Sequence, residues 1–363
     1  MKKIFIIAIS LFIAAVACKK EEDVKFKNNT TITDTITNVK IVGSVWKSFL
    51  PDFDDKVDAF AVYKNKLIMS YLYYNSINDN IAFSGEYNGS SIKNHTNAVE
   101  AGGFGFNRLR VYGDKLYGIG VLNASSAFSS FGVWEFDDSG QFGSKWEGYS
   151  NNYTDVYDMV KFNGRDVIAT GSKPYVKWGN YFSWDTVGEG FDKRVKCFEI
   201  FNGALVAGGG FTKSGDKDIL GVARWDGRSW QPMGYGLNGQ VEELVVYKDK
   251  LVAVGKFEKS GPLRVNNIAI WDGTKWEDLD GGLIGGYNGA TSLVTNGDEL
   301  IVGGEFDEAG GVYSPNVIKW DGTQWEALPG GVPSLVGDLV IFKNQLYVTN
   351  YTSAFGNYLL RLE

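Results

Sequence analysis

The stretch Ile270-Trp271-Asp272-Gly273-Thr274-Lys275-Trp276 decides the fold, because its wording recurs along the chain. It returns as Trp225-Asp226-Gly227-Arg228-Ser229-Trp230 and as Trp320-Asp321-Gly322-Thr323-Gln324-Trp325. An Asp-Gly pair between two apolar runs is a strong signal for a tight β-hairpin turn, since glycine supplies the positive φ that such turns need. We therefore predict a β-hairpin at each copy.

A second recurrent phrase consists of an apolar strand, an aromatic residue, a tight polar turn and another apolar strand. Repeats of about 40–50 residues with four strand signals each are typical of β-propeller blades. The sequence thus predicts an all-β, seven-bladed β-propeller of four-stranded antiparallel blades over residues 40–363. The seven copies have aliphatic anchors, 38 to 51 residues apart, at Leu67, Leu116, Val167, Leu205, Leu251, Leu300 and Leu346.

The last repeat holds only three strand signals, which end at Leu362. Near the other end of the chain, Gly43-Ser44-Val45-Trp46 has the same Gly-x-x-Trp spacing as Gly322-Thr323-Gln324-Trp325. We predict that residues of about 43–50 supply the missing outer strand of the last blade. Such a strand closes the ring, protects its edge and ties down both ends of the chain.

The amino terminus has the features of an export signal. Lys2 and Lys3 precede an apolar run that is too short for a comfortable membrane span, and small residues stand before Cys18. The pattern resembles a bacterial lipobox, although Ala15 replaces the usual larger aliphatic residue; ordinary secretory cleavage is the alternative. We predict a signal peptide over residues 1–17, lipidation of Cys18 and a flexible tether over residues 18–39.

The export signal and the predicted lipidation of Cys18 indicate a cell-envelope protein that is held at the outer membrane through its lipid. The acidic cluster Glu21-Glu22-Asp23 resembles a signal for export of lipoproteins to the cell surface, and a solvated linker is the alternative.

Composition excludes several classes of function. The 363-residue chain has a net charge of −7 and no basic cluster, which argues against nucleic acid as a partner. His95 is the only histidine, so multi-histidine metal sites are excluded and a Ser-His-Asp triad would have to use this residue. Neither a metal nor a cofactor is expected.

The two recurrent sequence patterns together, as in Leu251–Phe257 followed by Ile270–Gly273, resemble the repeats of Kelch-like and galactose-oxidase-type propellers. They are more similar to the Trp-Asp-Gly repeats of bacterial surface propellers and of the fungal cortical polarity-marker family. The resemblance implies a propeller in an extracytoplasmic setting, and it implies no reaction, because propellers host many functions. A single histidine does not match the copper ligands of a galactose oxidase.

Two sets of residues are candidates for binding. Alignment of the repeats puts Arg108, Asp158, Glu243 and Asp338 at equivalent places in the channel-lining strand, at the end with the longer loops. Such a mouth can bind a polar ligand or simply hold water and ion pairs. Aromatic residues assigned to long loops could stack on sugar rings or anchor a protein. They are Tyr73, Tyr74, Phe128, Phe131, Tyr175, Trp178, Tyr313, Tyr351 and Phe355.

The repeated Trp residues recur in step with the fold, so we expect them to pack between blades. We predict a monomeric, envelope-anchored binding or scaffolding module for a glycan or a protein, without catalytic residues. The alternative is a polysaccharide hydrolase or lyase that uses channel-mouth carboxylates about 5–9.5 Å apart. This alternative loses its support if Asp158, Glu243 and Asp338 are far apart or ion-paired with Arg108.

Overall fold

A computed structural model describes residues 45–48, 56–74, 80–95, 106–125, 128–136, 142–148, 156–180, 183–296, 298–352 and 356–363. The predicted signal peptide, Cys18 and the tether over residues 18–39 lie outside these ranges. Throughout the described ranges the regular elements are β-strands, and none contains a helix long and apolar enough to cross a membrane.

The described residues form seven four-stranded antiparallel sheets, which we number in chain order and whose strands we name a to d across each sheet. Sheet 1 consists of Lys56–Tyr63, Lys66–Tyr74, Asn80–Tyr87 and Ile92–His95. Sheet 2 consists of Phe106–Tyr112, Lys115–Ser125, Phe128–Phe136 and Phe142–Gly148. Sheet 3 consists of Val156–Phe162, Arg165–Thr170, Val176–Asn180 and Ser183–Thr186. Sheet 4 consists of Val195–Phe201, Ala204–Gly209, Val222–Trp225 and Trp230–Pro232. Sheet 5 consists of Gln240–Tyr247, Lys250–Lys256, Ile268–Trp271 and Trp276–Asp278. Sheet 6 consists of Gly289–Asn296, Glu299–Glu305, Val317–Trp320 and Trp325–Ala327. Sheet 7 consists of Val336–Phe342, Gln345–Thr352, Gly356–Leu362 and Trp46–Ser48.

Short strands occur in the connections between strands b and c of sheets 4 to 6 and in the connection from sheet 5 to sheet 6, which contains Leu283–Ile284. Two hairpins and one small three-stranded sheet occur there within the described ranges. They are Lys213–Ser214 with Lys217–Asp218, Lys259–Ser260 with Leu263–Arg264, and Leu283–Ile284 with Glu308–Ala309 and Val312–Tyr313.

The outer strand of sheet 7 comes from the amino-terminal side of the chain. Trp46 lies opposite Leu362 in this pairing. Val45 and Glu363 exchange two backbone hydrogen bonds of 3.2 Å, and Lys47 Nζ lies 2.6 Å from Glu363 Oε2. The two ends of the described chain therefore lie in one sheet.

Neighbouring sheets meet along their first strands. Strand a of each sheet contacts strand a of the next, and strand a of sheet 7 contacts strand a of sheet 1. The core lies in layers between consecutive sheets. One layer, for example, contains Cys197 and Val206 of sheet 4 together with Leu244 and Ala253 of sheet 5. Cys197 is thus a buried, unpaired thiol.

The tight turns differ between the two kinds of hairpin. Two-residue turns between strands a and b, such as Lys248-Asp249 and Lys343-Asn344, have positive φ at both residues, which suits the right-handed twist of the strands. The Asp-Gly hairpins have four-residue loops instead. In one of them Asp226 Oδ1 accepts bonds from the backbone N–H groups of Arg228 and Ser229, both at 2.8 Å, while Gly227 takes a φ of +99°. The predicted hairpins form, but the Asp side chain holds their loops.

The second Trp of each Asp-Gly phrase ties its sheet to the connection that precedes that sheet. In sheet 4, the indole N–H of Trp230 donates to the carbonyl of Val187 at 3.0 Å, and the ring packs against Trp225. Trp276 and Trp325 make the equivalent bonds in sheets 5 and 6. The expectation that the repeated Trp residues are structural is confirmed.

Candidate functional site

The four residues predicted at the channel mouth share one structural position. Arg108, Asp158 and Glu243 each stand directly after a register shift between strands a and b of their sheet. Asp338 lies within the corresponding shift of sheet 7. Such a shift re-aims the side chain beside it. Because strands a contact one another around the sheets, these four side chains are brought to the same level.

Asp158 is the most heavily bonded residue of the four. Its side chain is buried, and its two oxygens accept from Arg110 Nε and Nη2, both at 3.0 Å. They also accept from the backbone N–H groups of Met159 and Phe198, both at 2.9 Å. Burial opposes the charge of Arg110, yet Asp158 holds the pKa of this guanidinium well above its ordinary value. The pair is therefore a charge-assisted, bidentate interaction inside the protein.

Three channel carboxylates join alternate pairs of sheets through the backbone. The inner edge of strand a has no further strand beside it, so its N–H groups need other acceptors. Carboxylates of sheets 3, 5 and 7 accept hydrogen bonds from backbone N–H groups of sheets 4, 6 and 1, respectively. At the position equivalent to the carboxylate, the three donating sheets carry the small residues Cys197, Ser292 and Ala59. The bonds run from Phe198 N to Asp158 at 2.9 Å, from Leu293 N to Glu243 at 2.9 Å and from Phe60 N to Asp338 at 2.8 Å.

The remaining sheet, sheet 2, contributes a cation to this arrangement. Arg108 Nη1 lies 3.7 Å from Asp158 Oδ2 and 3.5 Å from Glu243 Oε1. Burial, and then repulsion from Glu243, raise the pKa of Asp338 to about 6. Burial also raises the pKa of Glu199, two residues beyond the shared position in sheet 4. The channel groups thus form one electrostatically coupled cluster.

This cluster gives no support to the hydrolase alternative. A glycosidase needs one carboxyl group free to protonate the leaving group and a second free to attack or to activate water. Asp158 and Glu243 are ion-paired with Arg108, and Asp338 accepts from Phe60 N, Leu339 N and the Ser292 hydroxyl. The cluster instead satisfies the backbone and binds the inner strands together.

Trp178 was predicted to be a loop residue, and this placement is wrong. It lies in strand c of sheet 3 opposite Val167, the position that Trp271 occupies in sheet 5. Its ring lies 5.6 Å from that of Trp225 and 4.8 Å from the guanidinium carbon of Arg165. Trp178 is therefore the repeated packing aromatic of sheet 3, and it was missed because no Asp-Gly pair follows it.

Other predicted loop aromatics also lie in strands. Tyr73 and Tyr74 end strand b of sheet 1, and Tyr351 lies in strand b of sheet 7. Phe128 and Phe131 belong to strand c of sheet 2, and Phe355 lies outside the described residues. Tyr313, by contrast, ends a short strand in the long b–c connection of sheet 6, and its side chain is exposed.

A set of exposed apolar side chains lies on the long connections of sheets 4 to 6, and of its members only Tyr313 was among the predicted loop aromatics. Tyr235 and Tyr287 are 72% and 76% exposed. Their rings rest on neighbouring connections: a Cβ at Gly261 would come within 2.6 Å of the Tyr235 ring, and Lys256 Nζ lies 3.6 Å from the Tyr287 ring centre. We name the set the loop-face patch; it comprises Leu220, Tyr235, Leu263, Ile284, Tyr287 and Tyr313.

Backbone hydrogen bonds hold the connections of the loop-face patch together. Leu237 N donates to the Leu220 carbonyl at 2.9 Å, and Asp307 N donates to the Ile284 carbonyl at 2.8 Å. Ile284 and Tyr313 also belong to the same small three-stranded sheet. The patch therefore stands on fixed backbone, which is the usual setting of binding residues on rigid scaffolds.

Comparison with known proteins supports the fold. No protein-family model matches the sequence, and no curated protein matches it. The structure is similar to the Neurospora crassa Pan2 WD40 domain, with a TM-score of 0.52 and 10% identity over 92% of this chain and 97% of that chain. It also aligns with BamB from Moraxella catarrhalis, with a TM-score of 0.44 and 11% identity over 95% and 97% of the two chains. With its all-β architecture of repeated four-stranded sheets, the chain is a β-propeller repeat protein.

Proposed function

We propose that the chain is a seven-bladed propeller, closed by its amino-terminal strand, that acts as a non-catalytic docking module for a protein partner. The observation that carries the docking role is the loop-face patch, in which Tyr235 and Tyr287 are more than 70% exposed on hydrogen-bonded connections. Contiguous exposed apolar side chains mark interaction sites on soluble surfaces. The partner would bind across the long loops of blades 4 to 6.

The closed ring rests on contacts at the junction of sheets 7 and 1. Strand a of sheet 7 contacts strand a of sheet 1, and Phe60 N donates to Asp338 across this junction. Trp46 packs against the core layer between sheets 6 and 7, in addition to its pairing with Leu362. Seven sheets in one cycle, with the last completed from the other end of the chain, suit a closed propeller.

The composition of the loop-face patch favours a protein over a glycan. Aromatic rings can stack on sugars or anchor a protein, so Tyr235 and Tyr287 suit both kinds of ligand. Leu220, Leu263 and Ile284 are also exposed, and aliphatic side chains offer no hydrogen bonds to sugar hydroxyl groups. Mixed aliphatic and aromatic surface matches the apolar centre of a protein–protein interface.

We further propose that the propeller is an envelope lipoprotein, with a signal peptide over residues 1–17, lipidation at Cys18 and a tether over residues 18–39. This anchor would hold the docking face at the outer membrane. Replacement of Cys18 by Ser should release the protein from membranes. Continued membrane association of Cys18→Ser would remove the lipid anchor from the proposal while leaving the docking role intact.

Docking is tested by affinity capture from envelope extracts of the source organism. Immobilised wild-type protein should retain a specific protein that the double variant Tyr235→Ser/Tyr287→Ser loses. The matched control is Val62→Ser/Val246→Ser, because these exposed residues stand one position before the end of strand a, at the opposite, tight-turn side of sheets 1 and 5. The retained protein, once purified, should bind the purified wild type and the control equally.

Loss of the partner in the opposite-side control, or retention in the Tyr variant, would contradict docking at the loop-face patch. Binding of oligosaccharides in place of a protein, with loss in the Tyr variant, would identify the glycan alternative instead.

Closure is tested by truncation. Deletion of residues 1–48 removes strand d of sheet 7 and should lower the Tm by several degrees, whereas deletion of residues 1–39 should not. Equal Tm values for the two truncated proteins would argue against closure by the amino-terminal strand.

A further inference from the structure

A cavity of about 510 Å³ opens beside the loop-face patch, between the connections of sheets 3, 4 and 5. Leu220 belongs both to the cavity wall and to the patch. Tyr175, one of the aromatics predicted to lie in a loop, also lines the cavity. This volume lies within the range of about 300–1,000 Å³ that is typical of small-ligand pockets. One or a few side chains of a partner protein are similar in size to such ligands.

The cavity has an apolar floor and a cationic rim. Phe211 and Leu237 are buried in its floor, and the Phe211 ring stacks on Phe191 with a centre distance of 4.0 Å. Lys193 and Arg194 stand at the rim, and both are exposed. Among the described residues that line the cavity, none is acidic. A ligand group that matches both features carries a negative charge on a short apolar stem.

Neither rim cation has a carboxylate partner among the residues that the structure describes. Asp192, which precedes Lys193 in the sequence, is already engaged in hydrogen bonds. Asp192 accepts from Thr212 N at 2.7 Å, from the Thr212 hydroxyl at 2.6 Å and from Lys213 N at 2.9 Å. Two cations without an ion-pair partner among the described residues, in a concave site, attract an anion locally even though the net charge of the chain is −7.

The polar groups of the cavity are held in place before any ligand arrives. The Arg194 guanidinium carbon lies 5.4 Å from the centre of the Tyr157 ring, and the Arg194 carbonyl accepts from Gly210 N at 3.1 Å. Asn238 Oδ1 accepts from two backbone N–H groups, at 2.8 and 2.9 Å, which leaves the side-chain amide group of Asn238 to donate. Preorganised donors lower the entropic cost of binding.

We infer that this cavity binds a carboxylate group of the docked protein, as a Glu or Asp side chain or a chain terminus, through Lys193 and Arg194. The inference rests on the proposed docking function and adds its charge specificity. Arg194 has the planar fork that carboxylates match, and Lys193 supplies a second charge. Leu220 connects the charged subsite to the apolar patch, so a partner segment with acidic and apolar residues in alternation would contact both.

The test uses two labelled probes, an acetylated and amidated hexapeptide of alternating Leu and Glu and its counterpart of alternating Leu and Gln. Fluorescence anisotropy should show that the Glu peptide binds wild-type protein at least tenfold more tightly than the Gln peptide. In Lys193→Gln/Arg194→Gln this preference should disappear, with an unchanged Tm. Raising the salt concentration should weaken binding of the Glu peptide alone.

The matched control is Lys93→Gln/Lys250→Gln, which makes the same change in net charge at exposed residues outside the cavity and should bind both peptides as the wild type does. Equal binding of the two peptides, binding of neither, or an unchanged preference in Lys193→Gln/Arg194→Gln would overturn the inference. Binding of tri-galacturonate in place of the peptide, lost in the same variant, would overturn the assignment to a protein carboxylate. The docking proposal fails separately, through Tyr235→Ser/Tyr287→Ser in the capture experiment.

Discussion

Two arginines of this propeller have opposite surroundings. Arg110, inside the channel cluster, forms a bidentate pair with buried Asp158. Arg194, at the rim of the loop-face cavity, has a ring beside it and no carboxylate partner among the described residues. The first charge is balanced within the fold and contributes to stability, whereas the second is left for a ligand. The comparison separates charges that hold the ring together from charges that recognise a partner.

The same contrast applies to carboxylates and explains why the channel is a poor active site. Asp158, Glu243 and Asp338 share a conspicuous position, yet each is committed to a backbone N–H of the next sheet. Residues that occupy the same position in several blades therefore stabilise the packing of those blades. The loop-face patch and its cavity lie on repeated connections, at positions where the blades carry different side chains.

The largest expected effect is on stability, from Asp158→Ala. This substitution leaves Arg110 buried without its partner and leaves Phe198 N without its acceptor, which should cost about 3–5 kcal/mol in the free energy of unfolding. Chemical denaturation measures it. The control Asp185→Ala changes an exposed residue of the same sheet and should stay within about 0.5 kcal/mol of wild type. Similar free energies of unfolding for the two variants would show that the ion-paired Asp158 contributes no more to stability than the exposed Asp185.

A second effect is a pH dependence due to Asp338. Its pKa is about 6 in the folded protein against 3.8 ordinarily, because burial and then Glu243 disfavour its charge. Between these values the folded state binds more protons than the unfolded state, so stability falls as pH rises from about 4 to 6, by at most about 3 kcal/mol. Denaturation at several pH values should show this slope in wild type and a shallower one in Asp338→Ala.

The control for this slope is Asp272→Ala. Hydrogen bonds from Lys275 N, Thr274 N and the Thr274 hydroxyl lower the pKa of Asp272 to about 2, so its contribution is lost as pH falls below about 4. Asp272→Ala should therefore leave the slope between pH 4 and 6 intact. A slope that persists unchanged in Asp338→Ala would show that another group titrates.

The sharpest form of the comparison is the pair Arg110→Gln and Arg194→Gln, which make the same chemical change in the two settings. Arg110→Gln should cost about 2–4 kcal/mol, since it leaves Asp158 buried with a weaker partner. Arg194→Gln should change stability by no more than about 0.5 kcal/mol. Thermal unfolding of both variants measures the difference, and a loss of stability in Arg194→Gln comparable to that in Arg110→Gln would contradict a recognition role.

A small effect on stability is also expected from the loop-face patch. Tyr235→Ser and Tyr287→Ser remove mostly exposed rings and should each shift the free energy of unfolding by less than about 0.5–1 kcal/mol. Partner capture should fall in the same variants. A large drop in Tm would indicate that these rings serve packing, and it would remove them from the docking surface.

The architecture could be predicted from the sequence because repetition amplifies weak signals. Each Asp-Gly phrase is an ordinary hairpin motif, but several in register define the blade, and the same spacing identified Trp46. The alignment of strand a likewise put Arg108, Asp158, Glu243 and Asp338 at one level. It could not show that each carboxylate reaches a backbone N–H of the neighbouring sheet, because that contact depends on how the sheets pack.

The exposed aromatics could not be predicted in the same way. Trp178 was assigned to a loop because its hairpin lacks the Asp-Gly pair, although its cross-strand partner Val167 was already recognised as an anchor. Tyr235 and Tyr287 were missed because they lie in glycine-rich connections outside the strands; the connection of Tyr235 recurs as Leu279–Leu283 and Leu328–Val332, where a glycine takes its place. A usable signal existed: an aromatic ring next to glycines has few adjacent side chains to cover it, as in Gly234-Tyr235-Gly236.

The most direct test of docking at the loop face is site-specific photo-crosslinking in envelope extracts. A p-benzoylphenylalanine is placed at Tyr287 in one sample and at Val246, on the opposite side of the ring, in another. The account predicts one discrete crosslinked protein from position 287 and none from position 246. A crosslinked protein from position 246 alone, or identical products from both positions, would contradict it.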